Sequence, residues 1–210
     1  MFTTLTPVNI FSYDYHGYGT SSASPAPNEA VLVADIEAAY GALVGRLGVS
    51  PRRIILYGES IGNVPTIDLA ARLDGDHLAG VVLQSAFTSA CRLFCPRLVK
   101  NSGDRECLGP FNSIDKVGAI SVPVLVLHGT RDEVVPLEHG LALYRTAKSS
   151  SRSNAMTTSC FIEGAGHNDM VGRNELYRRL EKFTRELEGI EAAAAAAGGG
   201  GGQQGQGRPV

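Results

Sequence analysis

The sequence predicts an α/β fold, in which a mostly parallel sheet carries helices on both faces. Short β-branched or aromatic runs alternate with longer amphipathic stretches over residues 1–191. Hydrophobic residues make up 43% of the 210-residue chain, which is enough for one sizeable core. Residues 58–62 also form a strand-to-helix motif at one of the predicted junctions. In such sheets, ligands bind beyond the carboxyl ends of the strands.

The first part of the chain supplies three predicted strands and two predicted helices. Residues 9–15 are rich in aromatic and β-branched side chains, and apolar residues recur at helical spacing from Glu29 to Leu47. An apolar run, a helical pattern and a second apolar run then follow in that order. We therefore predict strands over residues 9–15, 53–58 and 80–84, and helices over residues 29–47 and 60–73.

The second part of the chain continues the alternation after a segment from Phe87 to Phe111 that cysteine and proline interrupt. Strands are predicted over residues 122–128 and 158–162, and helices over residues 137–147 and 170–188. Within the interrupted segment, five apolar residues either line an acyl pocket or simply pack a helix on the sheet: Phe87, Leu93, Phe94, Leu98 and Phe111.

A change of composition after Ile190 marks the predicted end of the domain. Six alanines and five glycines follow Glu191, and a glutamine- and glycine-rich stretch ends the chain. Residues 1–191 are therefore assigned to one domain and residues 192–210 to a flexible tail. Because alanine has the highest helix propensity, Ala192–Ala197 can prolong the preceding helix by a turn or two.

Charge and composition exclude several classes of function. The net charge of -2 and the lack of a basic run argue against nucleic acid as a partner. No apolar run approaches the roughly 20 residues that cross a bilayer, and the first residues lack the features of a signal peptide, which predicts a cytoplasmic protein without an integral membrane segment. The four cysteines lack metal-site spacing, so we expect reduced thiols and no bound metal.

The motif Gly58-Glu59-Ser60-Ile61-Gly62 fits the nucleophile elbow G-x-S-x-G. Glycines on both sides let the strand and the helix pass closely enough to expose the hydroxyl of Ser60 at a strained turn. The N–H of Ile61, at the start of the helix, is then placed to donate to a developing oxyanion. Chance matches to this pentapeptide are common, but the flanking strand and helix favour a functional elbow.

A nucleophilic serine needs a base and an orienting acid, which follow it in this fold in the order Ser, Asp, His. Asp132 follows the strand predicted to end at His128, and His167 lies in the glycine-rich loop after the next strand. Glu133 is a competing acid, but we favour Asp132 because it is nearer to the strand end. Asp132 also has the alternative role of capping the helix that begins near Pro136.

Four other histidines are weaker candidates for the base. His77 and His139 are expected at the surface, and His128 at a strand end is expected to pack or to form local hydrogen bonds. His16 precedes the serine in chain order. Only His167 combines position, flexible flanks and the expected order.

Taken together, five stretches of the sequence resemble the alpha/beta-hydrolase superfamily, and within it the seventeenth group of alpha/beta-hydrolase-domain proteins, the protein depalmitoylases. The stretches are residues 9–19, 55–66, 111–116, 122–130 and 164–169. The resemblance implies that Ser60 is the nucleophile, Asp132 the acid and His167 the base. It further implies an S-acylated protein or a small acyl ester as substrate, no cofactor, and membrane association only through the substrate.

The sequence also departs from the resembled group at its N-terminus. Members of that group have further strands upstream of Asn9, including a central strand whose following loop supplies a second oxyanion N–H, whereas residues 1–8 do not resemble that region. We therefore expect an N-terminally truncated fold that lacks the first strands. Loss of one oxyanion donor typically lowers kcat by about 10²- to 10³-fold. Two alternatives stay open: a catalytically impaired fragment or pseudoenzyme, and an oligopeptidase-like serine peptidase.

Overall fold

Four parallel strands form one sheet in the computed structural model of the chain, which describes residues 8–22, 26–73, 75, 77–95, 110–150 and 156–198. The strands are β1 (Ile55–Glu59), β2 (Gly80–Gln84), β3 (Val124–Gly129) and β4 (Thr157–Ile162), and they lie side by side in that order. Every neighbouring pair of strands is parallel, so all four carboxyl ends meet at one edge of the sheet.

Helices connect the strands and cover the sheet. They are α1 (Glu29–Gly41), α2 (Asn63–Arg72), α3 (Ala90–Phe94), α4 (Ile114–Val117), α5 (Leu137–Ser149) and α6 (Asn174–Gly198). A π-helical turn, Ala42–Arg46, prolongs α1, and a 3-10 turn, Ser60–Gly62, leads into α2. The side chain of Asn28 accepts a hydrogen bond from the N–H of Val31 and so caps the first turn of α1.

The two inner strands divide their side chains between two apolar cores. Val81 and Leu83 of β2 belong to one core, on the side that α1, α2 and α5 cover, while Val82 between them belongs to the other. That second core is completed by α6, through Leu176 and Phe183 among others. Both β2 and β3 are buried along their whole length, as expected for parallel strands covered on both faces.

The predicted fold class is confirmed, and the predicted strand over residues 80–84 has the same bounds in the structure. The strand predicted over residues 9–15 is wrong. This segment pairs with none of the described strands, and Ile10 is 62% exposed. Its end is attached to α1 instead, because the backbone N–H and the ring of His16 both bond to the buried carboxylate of Asp35. Alternation of side chains marks an extended chain, but a strand also needs a hydrogen-bonding neighbour.

Two further expectations concern the cysteines and the C-terminus. Cys91 is disulfide-bonded, so the prediction that it is a reduced thiol is wrong; the spacing of cysteines alone does not show which of them pair. Cys95 and Cys160 are free thiols, and Cys107 lies outside the described residues. Helix α6 continues through the alanine run to Gly198, as the propensity of alanine suggested. Within the described part of the chain, no helix is both long and apolar enough to cross a bilayer.

Candidate active site

The nucleophile elbow lies where β1 meets the turn that opens α2. Ser60 adopts a positive φ of 50°, a strained conformation for any residue other than glycine. Gly58 lies so close to the start of α2 that a Cβ there would be 2.8 Å from the Cα of Asn63. This approach is the close passage of strand and helix that the motif predicts.

A buried amide holds the elbow against the next strand. The side chain of Asn63 is fully buried, and its Nδ2 donates to the carbonyl oxygens of Ser60, at 2.9 Å, and of Gln84, at 2.7 Å. Sequence reasoning missed this residue. The available signal was a polar side chain on the first turn of a helix whose neighbouring positions are apolar, since such a residue must find partners when it is buried.

The acid comes from the loop after β3. Asp132 is buried, and its Oδ1 accepts the backbone N–H groups of Val134 at 3.0 Å and of Val135 at 2.7 Å. Burial alone would raise the pKa of Asp132. The hydrogen bonds from Val135 and from His167 outweigh burial and bring the pKa below its usual value. Asp132 is therefore ionised at neutral pH.

His167 joins the acid to the serine. Its Nδ1 lies 2.8 Å from Oδ2 of Asp132, and its Nε2 lies 3.1 Å from Oγ of Ser60. The carboxylate can only accept, so Nδ1 carries a proton and Nε2 is left to accept the hydroxyl proton of Ser60. The acid is completely buried, whereas the imidazole side chain is 11% exposed and so reaches the surface.

The other candidate acid and the other histidines lie apart from Ser60 or make different contacts. Glu133 is exposed, and the acid that contacts His167 is Asp132. His77 is exposed and His128 is buried with a local hydrogen bond, both as expected. His139 on α5 is only partly exposed, and its Nδ1 lies 2.8 Å from the hydroxyl oxygen of Thr88.

An apolar cluster includes Val135, which bonds to Asp132, and an open depression is lined in part by His167. A small apolar cluster consists of the buried residues Val64, Phe87 and Val135 with Leu93 and Phe111 packed against them. Phe94 is 77% exposed and stands apart from the cluster, and Leu98 lies outside the described residues. An open depression of about 360 Å³ is lined by Arg131, Glu133, Val134, Gly164, Gly166, His167 and Asn168.

The N–H of Ile61 lies in the first turn of the helical segment that starts at Ser60, where backbone N–H groups lack an intrahelical acceptor. It is thus placed to donate beside Ser60. No group of three or more metal-ligating side chains occurs among the described residues. The arrangement is suited to nucleophilic attack assisted by proton transfer, because a hydroxyl, an imidazole and a carboxylate are bonded in sequence.

Comparisons with known proteins show the family and the fold of the chain. The sequence profile of the prolyl oligopeptidase family matches residues 22–189. Alpha/beta hydrolase domain-containing protein 17C of Mus musculus is 47% identical over 175 residues, which cover 83% of this chain and 50% of that protein. The chain thus spans about half the length of the curated relatives it matches.

Solved structures show the same fold at low sequence identity. An esterase of Pyrococcus furiosus superposes with a TM-score of 0.66 at 19% identity, covering 83% of this chain and 68% of the esterase. An acylaminoacyl peptidase of Pyrococcus horikoshii superposes with a TM-score of 0.55 at 15% identity, covering 76% of this chain and 27% of the peptidase. The chain therefore belongs to the prolyl oligopeptidase family within the alpha/beta-hydrolase superfamily, and it is similar to the alpha/beta hydrolase domain-containing proteins of group 17.

Proposed function

We propose that this chain is a serine hydrolase in which Ser60 is the nucleophile, His167 the general base and Asp132 the orienting acid. The observation that carries the proposal is the unbroken series of hydrogen bonds from Asp132 through His167 to Ser60, at 2.8 and 3.1 Å. Ser60 and His167 are 107 residues apart in the chain. The fold therefore assembles them from separate strand ends, at the edge of the sheet where ligands bind.

The proposed reaction has two steps. Oγ of Ser60 attacks the carbonyl carbon of an acyl thioester while Nε2 of His167 takes the hydroxyl proton. The N–H of Ile61 donates to the resulting oxyanion, and His167 returns the proton to the departing thiolate, which leaves as a thiol. Water then attacks the acyl-enzyme, giving its proton to His167, and the carboxylic acid leaves as Ser60 regains its proton. The groups present supply every proton transfer, so no metal or cofactor takes part.

The proposed substrates are S-acylated proteins or small acyl esters. The likeness to group 17 of the alpha/beta hydrolase domain-containing proteins supports this class, since the sequence resembles its depalmitoylases along most of the domain. Cytoplasmic S-acylated proteins would bring the enzyme to membranes peripherally through the substrate. Val64, Phe87 and Val135 are buried in the apolar cluster, so a fatty chain would contact only its partly exposed members, Leu93 and Phe111.

The first test is labelling of the purified chain with a fluorophosphonate probe, which reacts only with an activated serine. We expect labelling of the wild type and its loss in Ser60→Ala. Ser50→Ala is the matched control, because Ser50 is exposed and its side chain makes no capping hydrogen bond. A wild type that is folded by circular dichroism yet unlabelled would contradict the proposal and favour the catalytically impaired fragment.

A serine peptidase is the second candidate, favoured by the match to the prolyl oligopeptidase family. The same triad serves both reactions, so only the substrate separates them. Hydrolysis of a fatty-acyl thioester without hydrolysis of a chromogenic peptide supports the first candidate, and the reverse result supports the second. Ser60→Ala controls for background hydrolysis in both assays.

A further inference from the structure

His128 is the buried histidine that the proposed mechanism leaves without a role. It lies one residue before the end of β3, and it has no exposed surface. Burying an imidazole is costly unless its nitrogens find partners. His128 lies four residues before Asp132 in the chain, so its hydrogen bonds can affect the position of that acid.

One hydrogen bond determines which nitrogen of the His128 ring carries the proton. Nε2 of His128 lies 2.8 Å from the carbonyl oxygen of Val135. Because a carbonyl only accepts, Nε2 must carry the proton, which leaves Nδ1 without one in the neutral ring. Within the described part of the chain Nδ1 has no hydrogen-bond partner, and it faces Gly140 of α5, where a Cβ would come within 2.5 Å of it.

The bond to Val135 reaches the acid indirectly. The N–H of Val135 donates to Oδ1 of Asp132 at 2.7 Å. The carbonyl oxygen of Val135 accepts from His128, so Val135 connects the imidazole of His128 to the carboxylate of Asp132. Nε2 of His128 is 3.6 Å from Oδ2 of Asp132, too far for a direct hydrogen bond. His128 therefore acts on Asp132 through the backbone of Val135.

The charged and titratable groups around His128 come from three elements. Asp132 lies on the loop after β3, His167 on the loop after β4, and Glu138 and His139 on α5. Burial is the largest influence and lowers the pKa of His128, against the opposing effects of the Val135 carbonyl and of Asp132. The ring is thus neutral at pH 7 and leaves the carboxylate to His167.

We propose that His128 is a positioning residue for Asp132, acting through the Nε2–H bond to the Val135 carbonyl. The inference rests on the proposed function. Removing the donor leaves a buried carbonyl unpaired and frees the backbone that holds the carboxylate of Asp132, so His167 loses its fixed orientation. We expect the rate of Ser60 modification to fall roughly 10- to 100-fold, the equivalent of one lost buried hydrogen bond.

The test compares two amide variants of the whole chain. In His128→Gln the side-chain N–H₂ reaches about as far as Nε2 of histidine, whereas in His128→Asn it stops about one bond short. We expect His128→Asn to react slowly with a soluble fluorophosphonate, and His128→Gln to react within a few-fold of the wild type. The proton resonance of Nδ1–H in His167, assigned by its absence from His167→Ala, should shift or broaden only in His128→Asn.

The inference would be overturned if the two folded variants reacted with the fluorophosphonate at the same rate and both kept the His167 resonance of the wild type. A purely structural role of His128 would change the stability of the fold and leave both of these unchanged. If either variant fails to fold, the tautomer of His128 in the wild type decides, because nitrogen chemical shifts that place the proton on Nδ1 would overturn the inference as well. A wild type without Ser60-dependent labelling would instead contradict the proposed function, and the tautomer would still be measurable.

Discussion

At the scale of single residues, Asp132 and Glu133 show how position decides the role of two adjacent acids. Asp132 is buried, bonded to two backbone N–H groups and in contact with His167, while Glu133 faces solvent. The sequence favoured Asp132 only by its nearness to the strand end. The structure supplies the reason: the carboxylate is fixed by its own loop before it meets the imidazole.

Asp132→Asn should reduce the rate of acyl-thioester hydrolysis by about 10³- to 10⁴-fold, because an amide no longer selects the imidazole tautomer that accepts the serine proton. Glu133→Gln removes a neighbouring charge without touching His167 and is the matched control. Steady-state kinetics of both variants check the prediction, and equal losses in the two would contradict the assignment of the acid.

His128 and His139 predict that the folded state is less stable in acid. Burial lowers the pKa of His128 and of His139 below the ordinary value of 6.5, so the unfolded chain takes up protons at a higher pH than the folded chain does. The free energy of unfolding should therefore be at its full value above about pH 6.5 and decrease as the pH falls below it. Urea denaturation at a series of pH values measures this slope.

His128→Gln should retain the hydrogen bond to Val135 but cannot take up a proton, so it should show a shallower slope than the wild type. An unchanged slope would mean that His128 titrates alike in the folded and unfolded states.

At the scale of elements, the sequence predicted those parts of the structure that local patterns determine. The apolar run of β2 and the Gly-x-Ser-x-Gly turn were placed correctly. A strand buried on both faces is a continuous apolar run, and the close passage of strand and helix requires glycine, so both features are visible in the local sequence. Residues 9–15 were misassigned because pairing depends on a neighbouring strand. Asn63 depends on a carbonyl of the neighbouring strand, and the spacing of the cysteines alone does not show that Cys91 forms a disulfide.

Two glycines in different packing environments predict opposite effects of substitution by alanine on the free energy of unfolding. Gly58→Ala would place a Cβ 2.8 Å from the backbone of Asn63, so we expect it to lower the free energy of unfolding by about 1–3 kcal/mol. Gly189→Ala, in α6 with no atom within 4 Å of the added Cβ, should raise it by about 0.5–1 kcal/mol. Thermal unfolding of the two variants checks both signs, and a destabilised Gly189→Ala would contradict the second.

At the scale of the whole molecule, the three site residues follow three different strands. Ser60 follows β1, Asp132 follows β3 and His167 follows β4, so the hydrogen bonds between them depend on the pairing of the entire sheet. The site therefore forms only when the sheet is folded, unlike a site whose residues all belong to one loop.

We therefore expect labelling of Ser60 by a fluorophosphonate and the helical circular dichroism signal to disappear at the same urea concentration. The two signals are measured on one set of samples, with Ser60→Ala as the blank for labelling. Loss of labelling at a clearly lower urea concentration would mean that the loop of Asp132 or of His167 opens before the sheet does.

The long final helix has a practical consequence. Helix α6 packs on the sheet as far as Leu187, beyond which its described side chains are exposed up to residue 196. The 11 residues from Glu188 to Gly198 extend the helix by about 16 Å at roughly 1.5 Å per residue. Because α6 runs back from the end of β4, this arm points away from the edge that holds Ser60. A fluorescent reporter or an immobilisation tag joined to its tip would leave the substrate entrance clear.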